Sequence, residues 1–185
     1  MKEPPTGAKP RALFDNACEH IAEPLKKLGF KYRKKNKDIY KTDVNFIYRI
    51  WFQTSKKHGG SSRFIVHLAV ESEKIASLRK NSHDSPCTGG TIITTTLINL
   101  TKKDQTLGWY DLAPASERER VISEIVGQVH DFAIPFFLRF ENFDFNIEEL
   151  NNKGFLPHRY KKSVSYLEQH VADFIGCYGN SLKNR

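Results

Sequence analysis

Histidines close to carboxylates are the side chains of this chain best suited to acid–base chemistry. His67 is four residues from Glu71, a combination that a small nuclease-like enzyme could use, and His130 directly precedes Asp131. In most proteins such histidines are ordinary hydrogen-bonded side chains, and a pair on a helix surface is the commoner explanation for His130 and Asp131. Catalysis is therefore the last of our functional hypotheses, and we predict no catalytic residue.

The sequence also lacks the local motifs of common catalytic and metal sites. It has no phosphate-binding glycine loop, no Gly-x-Ser-x-Gly elbow, no His-Glu-x-x-His and no Glu-x-Lys half of a metal-dependent nuclease site. Its seven histidines are too far apart in the sequence to form a local pair of metal ligands. We therefore expect neither a cofactor nor a metal ion.

Residues suited to binding occur in the most strand-like segment, 44–53. The even positions of this segment, from Val44 to Phe52, are all apolar, which predicts that they face a core. The odd positions include Arg49 and Trp51, and a hairpin with residues 64–70 would place them beside Ile65, His67 and Ala69. Tryptophans near a sheet are usually core residues, but Arg and Trp are also enriched where partners bind. We predict a binding sheet face formed by Arg49, Trp51, His67, Trp109 and Tyr110.

The positive charge of the chain is concentrated in residues 31–63. The formal net charge is +8, and this segment holds ten basic residues against Asp38 and Asp43, so its own net charge equals that of the whole chain. Such a segment attracts nucleic acid or an acidic protein, although lysines also protect edge strands from aggregation. Tyr32, Tyr40 and Trp51 could stack on bases. The predicted basic patch comprises Lys31, Arg33, Lys34, Lys35, Lys37, Lys56, Lys57 and Arg63.

A helix and a series of strands are predicted before residue 113. Apolar residues at three- and four-residue steps predict a helix over 11–29, which Pro24 should kink or end early and Gly29 should terminate. Strands are predicted at 30–33, 38–42, 44–53, 64–70, 91–101 and 107–112. Residues 73–85 are polar and are predicted to be a loop with at most one helical turn.

The remainder of the domain is predicted to be helical. Ser116 with Glu119, and Asn146 with Glu149, have the spacing of capping boxes. Pro135 should kink or end the first of these helices, and Gly154 should end the second. An apolar stripe from Val164 to Tyr178 predicts a last helix that begins near Ser163 and stops at Gly179.

Together these elements predict an α+β fold. An antiparallel sheet of about five or six strands in meander order should carry the N-terminal helix and the C-terminal helices on one face. We expect a flexible lead at 1–10, a single domain at 11–178 (helix 11–29, sheet 30–112, helical part 115–178) and a polar tail at 179–185. Three dispersed cysteines and the lack of a long apolar run predict a soluble, cytoplasmic protein without a membrane partner.

Three segments give the chain a resemblance to a known family. These are residues 25–31 (Leu-Lys-Lys-Leu-Gly-Phe-Lys), the strand at 46–53, and residues 109–112 (Trp-Tyr-Asp-Leu). Over roughly residues 12–150 the chain resembles a bacterial domain-of-unknown-function family of small cytosolic α+β proteins. The resemblance implies the fold and brings no catalytic residue with it. Members of such families often sit beside toxin or defence genes, so an immunity role is one version of the function it implies.

Our first functional hypothesis is a non-enzymatic binding module. Its sheet face would engage a macromolecular partner, and its basic segment would steer that partner, for instance an acidic toxin. The alternative is an RNA- or DNA-binding protein that uses residues 31–63. The two hypotheses predict different salt dependence, because contacts with phosphates weaken in proportion to their number as salt rises. The sequence does not specify an oligomeric state.

Overall fold

The structure, a computed structural model, describes residues 9–55, 63–82, 87–101, 108–112, 117–156 and 164–183, with side chains at 168–182 in the last range. One antiparallel sheet of six strands follows an N-terminal helix and precedes most of the other helices, so the predicted α+β class is confirmed. The strands are β1 (Lys31–Arg33), β2 (Asp38–Thr42), β3 (Ile47–Thr54), β4 (Arg63–Glu71), β5 (Thr91–Thr96) and β6 (Tyr110–Asp111).

The sheet is a meander of the first five strands. Their spatial order follows the chain from β1 to β5, and β6 pairs with the beginning of β4. In the central β3–β4 pair, Arg49 lies opposite Ala69 and Trp51 lies opposite His67, as the alternation of residue types predicted. The loop that joins these strands falls outside the described residues from 56 to 62, so Lys56 and Lys57 do as well.

The even positions of β3 and β4 form the core face of the sheet. Tyr48, Ile50, Phe64 and Leu68 are all completely buried there. The prediction that Val44 faces the core is wrong, since this residue is 97% exposed. The strand begins only at Ile47, because the Asp43 carboxylate accepts hydrogen bonds of 2.7 Å from the backbone N–H groups of residues 45 and 46 and so forms a turn before it.

Helices cover this core face. They are α1 (Pro10–Leu25), α2 (Glu73–Asn81), α3 (Leu97–Leu100), α4 (Arg118–Gln128), α5 (Ile134–Glu141), α6 (Ile147–Lys153) and α7 (Val164–Lys183). Aromatic contacts join three of them to the sheet, with ring centroids 5.6 Å apart for Phe14 and Phe64, 5.2 Å for Phe137 and Tyr48, and 6.3 Å for Phe174 and Phe46. Full burial of each such side chain stabilises the fold by about 1.5–3 kcal/mol.

Several predicted helix boundaries are confirmed. The first α-helix ends one residue after Pro24, a short 3₁₀ turn follows, and Gly29 closes it in the left-handed region with φ of 84°. Because the chain changes course at this turn, Leu28 leaves the apolar stripe and is 41% exposed. The Asn146 side chain caps α6 by accepting from the N–H of Glu149, and the helix ends before Gly154. Ser116 and Ser163 lie outside the described residues.

Other predicted boundaries are wrong. Residues 73–81 form the helix α2 instead of a loop, because Ser72 caps its N-terminus and the charges of its first and last turns suit the helix dipole. The predicted strand at 91–101 ends at Thr96, where α3 begins. The predicted tail from Gly179 is helical through Lys183, because buried Leu182 extends the apolar stripe one turn beyond Tyr178.

A π-helical turn at Val129–Ala133 joins α4 to α5. This wider turn absorbs one extra residue, so buried Ala133 takes the inward position while the apolar Phe132 is 36% exposed. Pro135 lies in the first turn after it and does not end the helix. The continuous helix Arg118–Glu141 has the length and composition of a membrane span, and the buried phenylalanines of α5 show how a core helix meets the same criteria.

The β5 edge of the sheet is tied to α2 and α7 by polar side chains. Arg79 Nη1 donates hydrogen bonds to the carbonyl oxygens of Gly89 (3.0 Å) and Thr91 (2.7 Å). His170 Nδ1 lies 2.6 Å from the carbonyl oxygen of Ile92. Two consecutive carbonyl groups of this edge strand are therefore occupied by buried side chains.

Candidate functional site

The sheet face opposite the helices, which we call the open face, is formed by the odd positions of β3 and β4. Of the eight residues concerned only Ala69 is buried, and they are Ile47, Arg49, Trp51, Gln53, Ile65, His67, Ala69 and Glu71. Residues of neighbouring strands continue the same rows across the sheet, since Asp38 lies opposite Trp51 and Tyr40 lies opposite Arg49. This exposed surface combines aromatic and charged side chains, which a sheet face that only contacts solvent does not require.

Trp51 and His67 form the centre of the open face. Their rings are nearly parallel, with an interplanar angle of 13° and 5.0 Å between centroids. His67 Nε2 lies 2.8 Å from Gln53 Oε1, which fixes the orientation of the imidazole ring. Burial lowers the pKa of His67 from its ordinary value, so the ring is neutral at pH 7. The pair therefore presents a flat, rigid and uncharged platform.

Arg49 lies next to this platform with few of its hydrogen-bonding groups used. Its nearest carboxylate is that of Glu71, with 3.5 Å between Arg49 Nη2 and Glu71 Oε2, at the long end of hydrogen-bond distances. Its Nε group is buried without an acceptor. A guanidinium group has five N–H donors, and a buried donor without an acceptor costs about 1–3 kcal/mol. Arg49 is therefore a cation with unused donors beside an aromatic platform.

A second arginine borders the platform but is firmly paired. Arg33 donates through two nitrogens to both carboxylate oxygens of Asp38, and the guanidinium carbon lies 4.4 Å from the centroid of the Tyr40 ring. The hydrogen bonds to Asp38 raise the pKa of Arg33. Because Asp38 is 5% exposed, the ion pair belongs to the framework of the face and leaves Arg33 with little capacity for a partner.

The two adjacent aromatic residues 109 and 110 differ in burial. Tyr110, a predicted binding residue, is a core residue instead: it is buried, its hydroxyl group lies 2.5 Å from Gln128 Oε1, and its ring packs 5.8 Å from Phe64. It points inward because it pairs with Phe64, an even position of β4. Burial also raises the pKa of Tyr110. Its neighbour Trp109 is half-buried at the beginning of this strand.

Four of the eight residues of the predicted basic patch, and the neighbouring Lys41 and Arg49, form ion pairs. Among the described residues, the segment's cations are paired in Arg33–Asp38, Lys34–Glu19, Lys37–Asp15, Lys41–Glu141, Arg49–Glu71 and Arg63–Asp111. Only the first pair has its acidic partner within residues 31–63. Lys31 and Lys35 are exposed and have no ion pair in the part of the chain that the structure describes. The charge that is concentrated along the sequence is therefore largely compensated in space.

Comparison with known families identifies the chain. The sequence profile of a domain of unknown function, DUF4304, matches residues 21–139. The chain belongs to the DUF4304 family. Comparisons with curated proteins and with solved structures gave no match. The matched residues include the whole open face and the helices α2 to α4.

Of the two possible catalytic pairs considered above, the DUF4304 region separates one and leaves the other exposed to solvent. His67 and Glu71 share a face of β4, but residues four apart in a strand are separated by about 13 Å, which is too far for direct proton transfer. His130 and Asp131 lie 3.0 Å apart on the helix surface, 73% and 66% exposed. Within the described ranges there is no cluster of three or more histidine, cysteine or acidic side chains that could hold a metal ion.

A groove on the helical side of the domain contains none of the predicted site residues. It has a volume of about 810 Å³ and runs along α6 to the end of α7. Phe143 forms part of its wall and packs against Phe46 and Tyr178, which places the groove over the core face. Its polar lining is mainly acidic and amide side chains, namely Asp144, Asn146, Glu148, Asn151 and Asn152.

The open face includes more residues than the five of the predicted binding face. Asp38 and Tyr40 join it through the pairing of β2 with β3, and Gln53 and Glu71 hold His67 and Arg49. The signal for Asp38 and Tyr40 was present, because they flank the apolar Ile39 and must point to the opposite face. The long-range pairing of the basic segment with Asp15, Glu19, Glu141 and Asp111 has no comparable sequence signal.

Proposed function

We propose that this protein is a non-enzymatic binding module whose open face engages a macromolecular partner. The observation that carries the proposal is the Trp51–His67 platform, half-exposed on a regular sheet, with Arg49 beside it. Rigid aromatic side chains lose little conformational entropy on binding, and Trp with Arg dominates many binding sites. A partner that covers the platform would remove apolar surface from water without any rearrangement of the sheet.

Ion pairing in the basic segment favours a protein partner over nucleic acid. Nucleic-acid binding depends on several free cations, each of which replaces counterions on the phosphates. Of the described cations in the segment, only Lys31 and Lys35 have no carboxylate partner. The remaining six would exchange an existing ion pair for a new one, with little gain in free energy. RNA or DNA binding through residues 31–63 is therefore the weaker alternative.

One version of the proposed function is an immunity or defence role, in which the open face would hold an acidic toxin. In this version, carboxylates of the toxin would accept hydrogen bonds from the unpaired donors of Arg49 and would pair with the exposed Lys31 and Lys35. An immunity role requires a cytoplasmic location and a specific toxin partner in addition to the binding function.

Selection from a random peptide library displayed on phage tests the proposal. Peptides enriched on the parent protein should bind a Trp51→Ser variant at least about tenfold more weakly, because the platform loses its larger ring. A Val44→Ser variant is the matched control, since Val44 is an exposed apolar residue in a turn. Binding that is equal for the parent and the Trp51 variant would show that the open face is not the site. Denaturation curves of both variants establish that each is folded.

A further inference from the structure

The incomplete coordination of Arg49 indicates what the partner offers to the open face. Its side chain is 37% exposed, its Nε donor is buried without an acceptor, and its contact with Glu71 is long. A carboxylate that arrives over the open face can accept two parallel hydrogen bonds from a guanidinium group, a geometry that the Glu71 contact does not provide. The site is therefore chemically ready for an external carboxylate.

We propose that the open face binds an acidic, extended segment of a partner protein, with one carboxylate held bidentately by Arg49 and a neighbouring apolar or aromatic side chain over the Trp51–His67 platform. Lys31, exposed in the same cross-strand row as Tyr40 and Arg49, lies where it can meet a second acidic side chain of that segment. The inference depends on the proposed function and specifies the partner's chemistry.

Glu71 acts in this arrangement as an internal competitor. It is 26% exposed and is the only carboxylate in the described part of the chain that forms an ion pair with Arg49. An incoming carboxylate must displace this contact, so Glu71 reduces the affinity of every acidic ligand. A neutral segment does not displace Glu71 from Arg49. Glu71 therefore also increases the negative charge that a partner must carry in order to bind.

A single acidic segment fits the available charge better than a nucleic acid does. One bidentate pair with Arg49 and one contact with Lys31 use the cations that are incompletely paired on this face. A nucleic-acid strand would bring a phosphate at every nucleotide, and apart from Lys35 the other described cations of the basic patch are already held by Asp38, Glu19, Asp15 and Asp111.

NMR titration can test this assignment, because the chain contains two tryptophans. The indole N–H signal of Trp51 reports the open face, and a Trp51→Phe variant distinguishes it from the signal of Trp109. The probes are a short capped peptide of glutamates around a phenylalanine, the same peptide with glutamines, and a short oligothymidylate. The acidic peptide should shift the Trp51 signal and bind at least about tenfold more tightly than the glutamine peptide.

Three variants separate the contributions of the charged residues. Arg49→Gln should remove the tenfold preference for the acidic peptide, and Arg49→Lys should restore only part of it, because lysine lacks the planar fork. Glu71→Gln should strengthen binding of the acidic peptide by about two- to tenfold through loss of the competitor. Dispersed amide spectra confirm that each variant is folded.

Several results would overturn the inference. Equal binding of the acidic and glutamine peptides, or an unchanged preference in Arg49→Gln, would contradict the role of Arg49. The absence of a shift of the Trp51 signal at millimolar peptide would contradict binding at the open face. Tighter binding of oligothymidylate at Trp51 would assign the face to nucleic acid. The proposed function fails separately. If peptides from the library require Trp51 but are indifferent to Arg49→Gln, the binding function stands and only the carboxylate assignment is wrong.

Discussion

Arg79 of α2 and Asp173 of α7 form a buried ion pair, with 2.6 Å between Arg79 Nε and Asp173 Oδ2 and side chains only 1% and 8% exposed. Gln169 Nε2 donates to the other oxygen of Asp173 at 2.7 Å, and Arg79 also holds two backbone carbonyls near β5. Residues 94 positions apart in the chain thus fix α2, α7 and the edge of the sheet to one another.

Replacement of Arg79 by methionine should destabilise the protein by about 3–5 kcal/mol, because it leaves the Asp173 carboxylate buried without its charge partner. Urea denaturation measures the change. Arg120→Met is the matched control, since it removes an arginine from a pair with Glu117 whose side chains are 66% and 46% exposed. That control should change stability by less than about 1 kcal/mol. Equal effects of the two substitutions would contradict the assigned role of the buried pair.

Protonation of His170 should destabilise the fold at acidic pH. Burial chiefly lowers the pKa of His170, and Arg79 acts in the same direction, against the hydrogen bond to Ile92 and the charge of Asp173. The folded protein then binds fewer protons than the unfolded chain, so the contribution of His170 to stability is present above its ordinary pKa of 6.5 and is lost as the pH falls below that value. One such histidine contributes at most about 1.4 kcal/mol per pH unit.

Denaturation at about pH 7.5 and at about pH 5.5 measures this effect. His67, whose pKa burial also lowers, contributes in the same direction, so the parent should lose stability at the lower pH. His170→Gln should lose less stability than the parent between these two pH values. An unchanged loss in His170→Gln would show that His170 does not titrate in this range.

Phe174→Ala should lower the free energy of unfolding by about 3–5 kcal/mol, because the ring is completely buried and its loss leaves a cavity. Phe174 packs within 5.2–5.8 Å of Phe140, Phe145, Phe155 and Tyr178, so the cavity would lie at the junction of several elements. Leu138→Ala is the comparison, because Leu138 is 41% exposed on the same helical segment as Phe140. Unfolding free energies should separate the two variants by at least about 2 kcal/mol.

Two glycines should respond to alanine in opposite directions. At Gly90 a Cβ atom would lie 2.3 Å from the backbone carbonyl oxygen of Ser72, the N-cap residue of α2. Gly90→Ala should therefore destabilise the protein by about 1–3 kcal/mol. At Gly127, inside α4, nothing lies within 4 Å of the added atom. Gly127→Ala should stabilise by about 0.5–1 kcal/mol, as expected for a helix interior. Thermal unfolding of both variants gives the signs directly.

Local patterns were sufficient to predict the sheet and most helix ends. The alternation in β3 and β4 correctly placed Arg49 and Trp51 with His67, because register follows from which residues face the core. Features that depend on tertiary contacts were missed. Tyr110 faces the core because of its pairing with Phe64, and Phe132 is exposed because of one π-helical turn. The basic segment appeared uncompensated because its acidic partners are distant in sequence, Glu141 being 100 residues from Lys41.

The capped carbonyls of β5 affect how this sheet meets other chains. Arg79 and His170 occupy the carbonyl groups of Thr91 and Ile92, so a foreign strand cannot align along that stretch of the edge. The opposite edge, β1, is only three residues long. Templated growth of the sheet, whether by swapping strands between copies or by amyloid-like stacking, would have to displace buried side chains from β5 or would gain only the short ladder of β1.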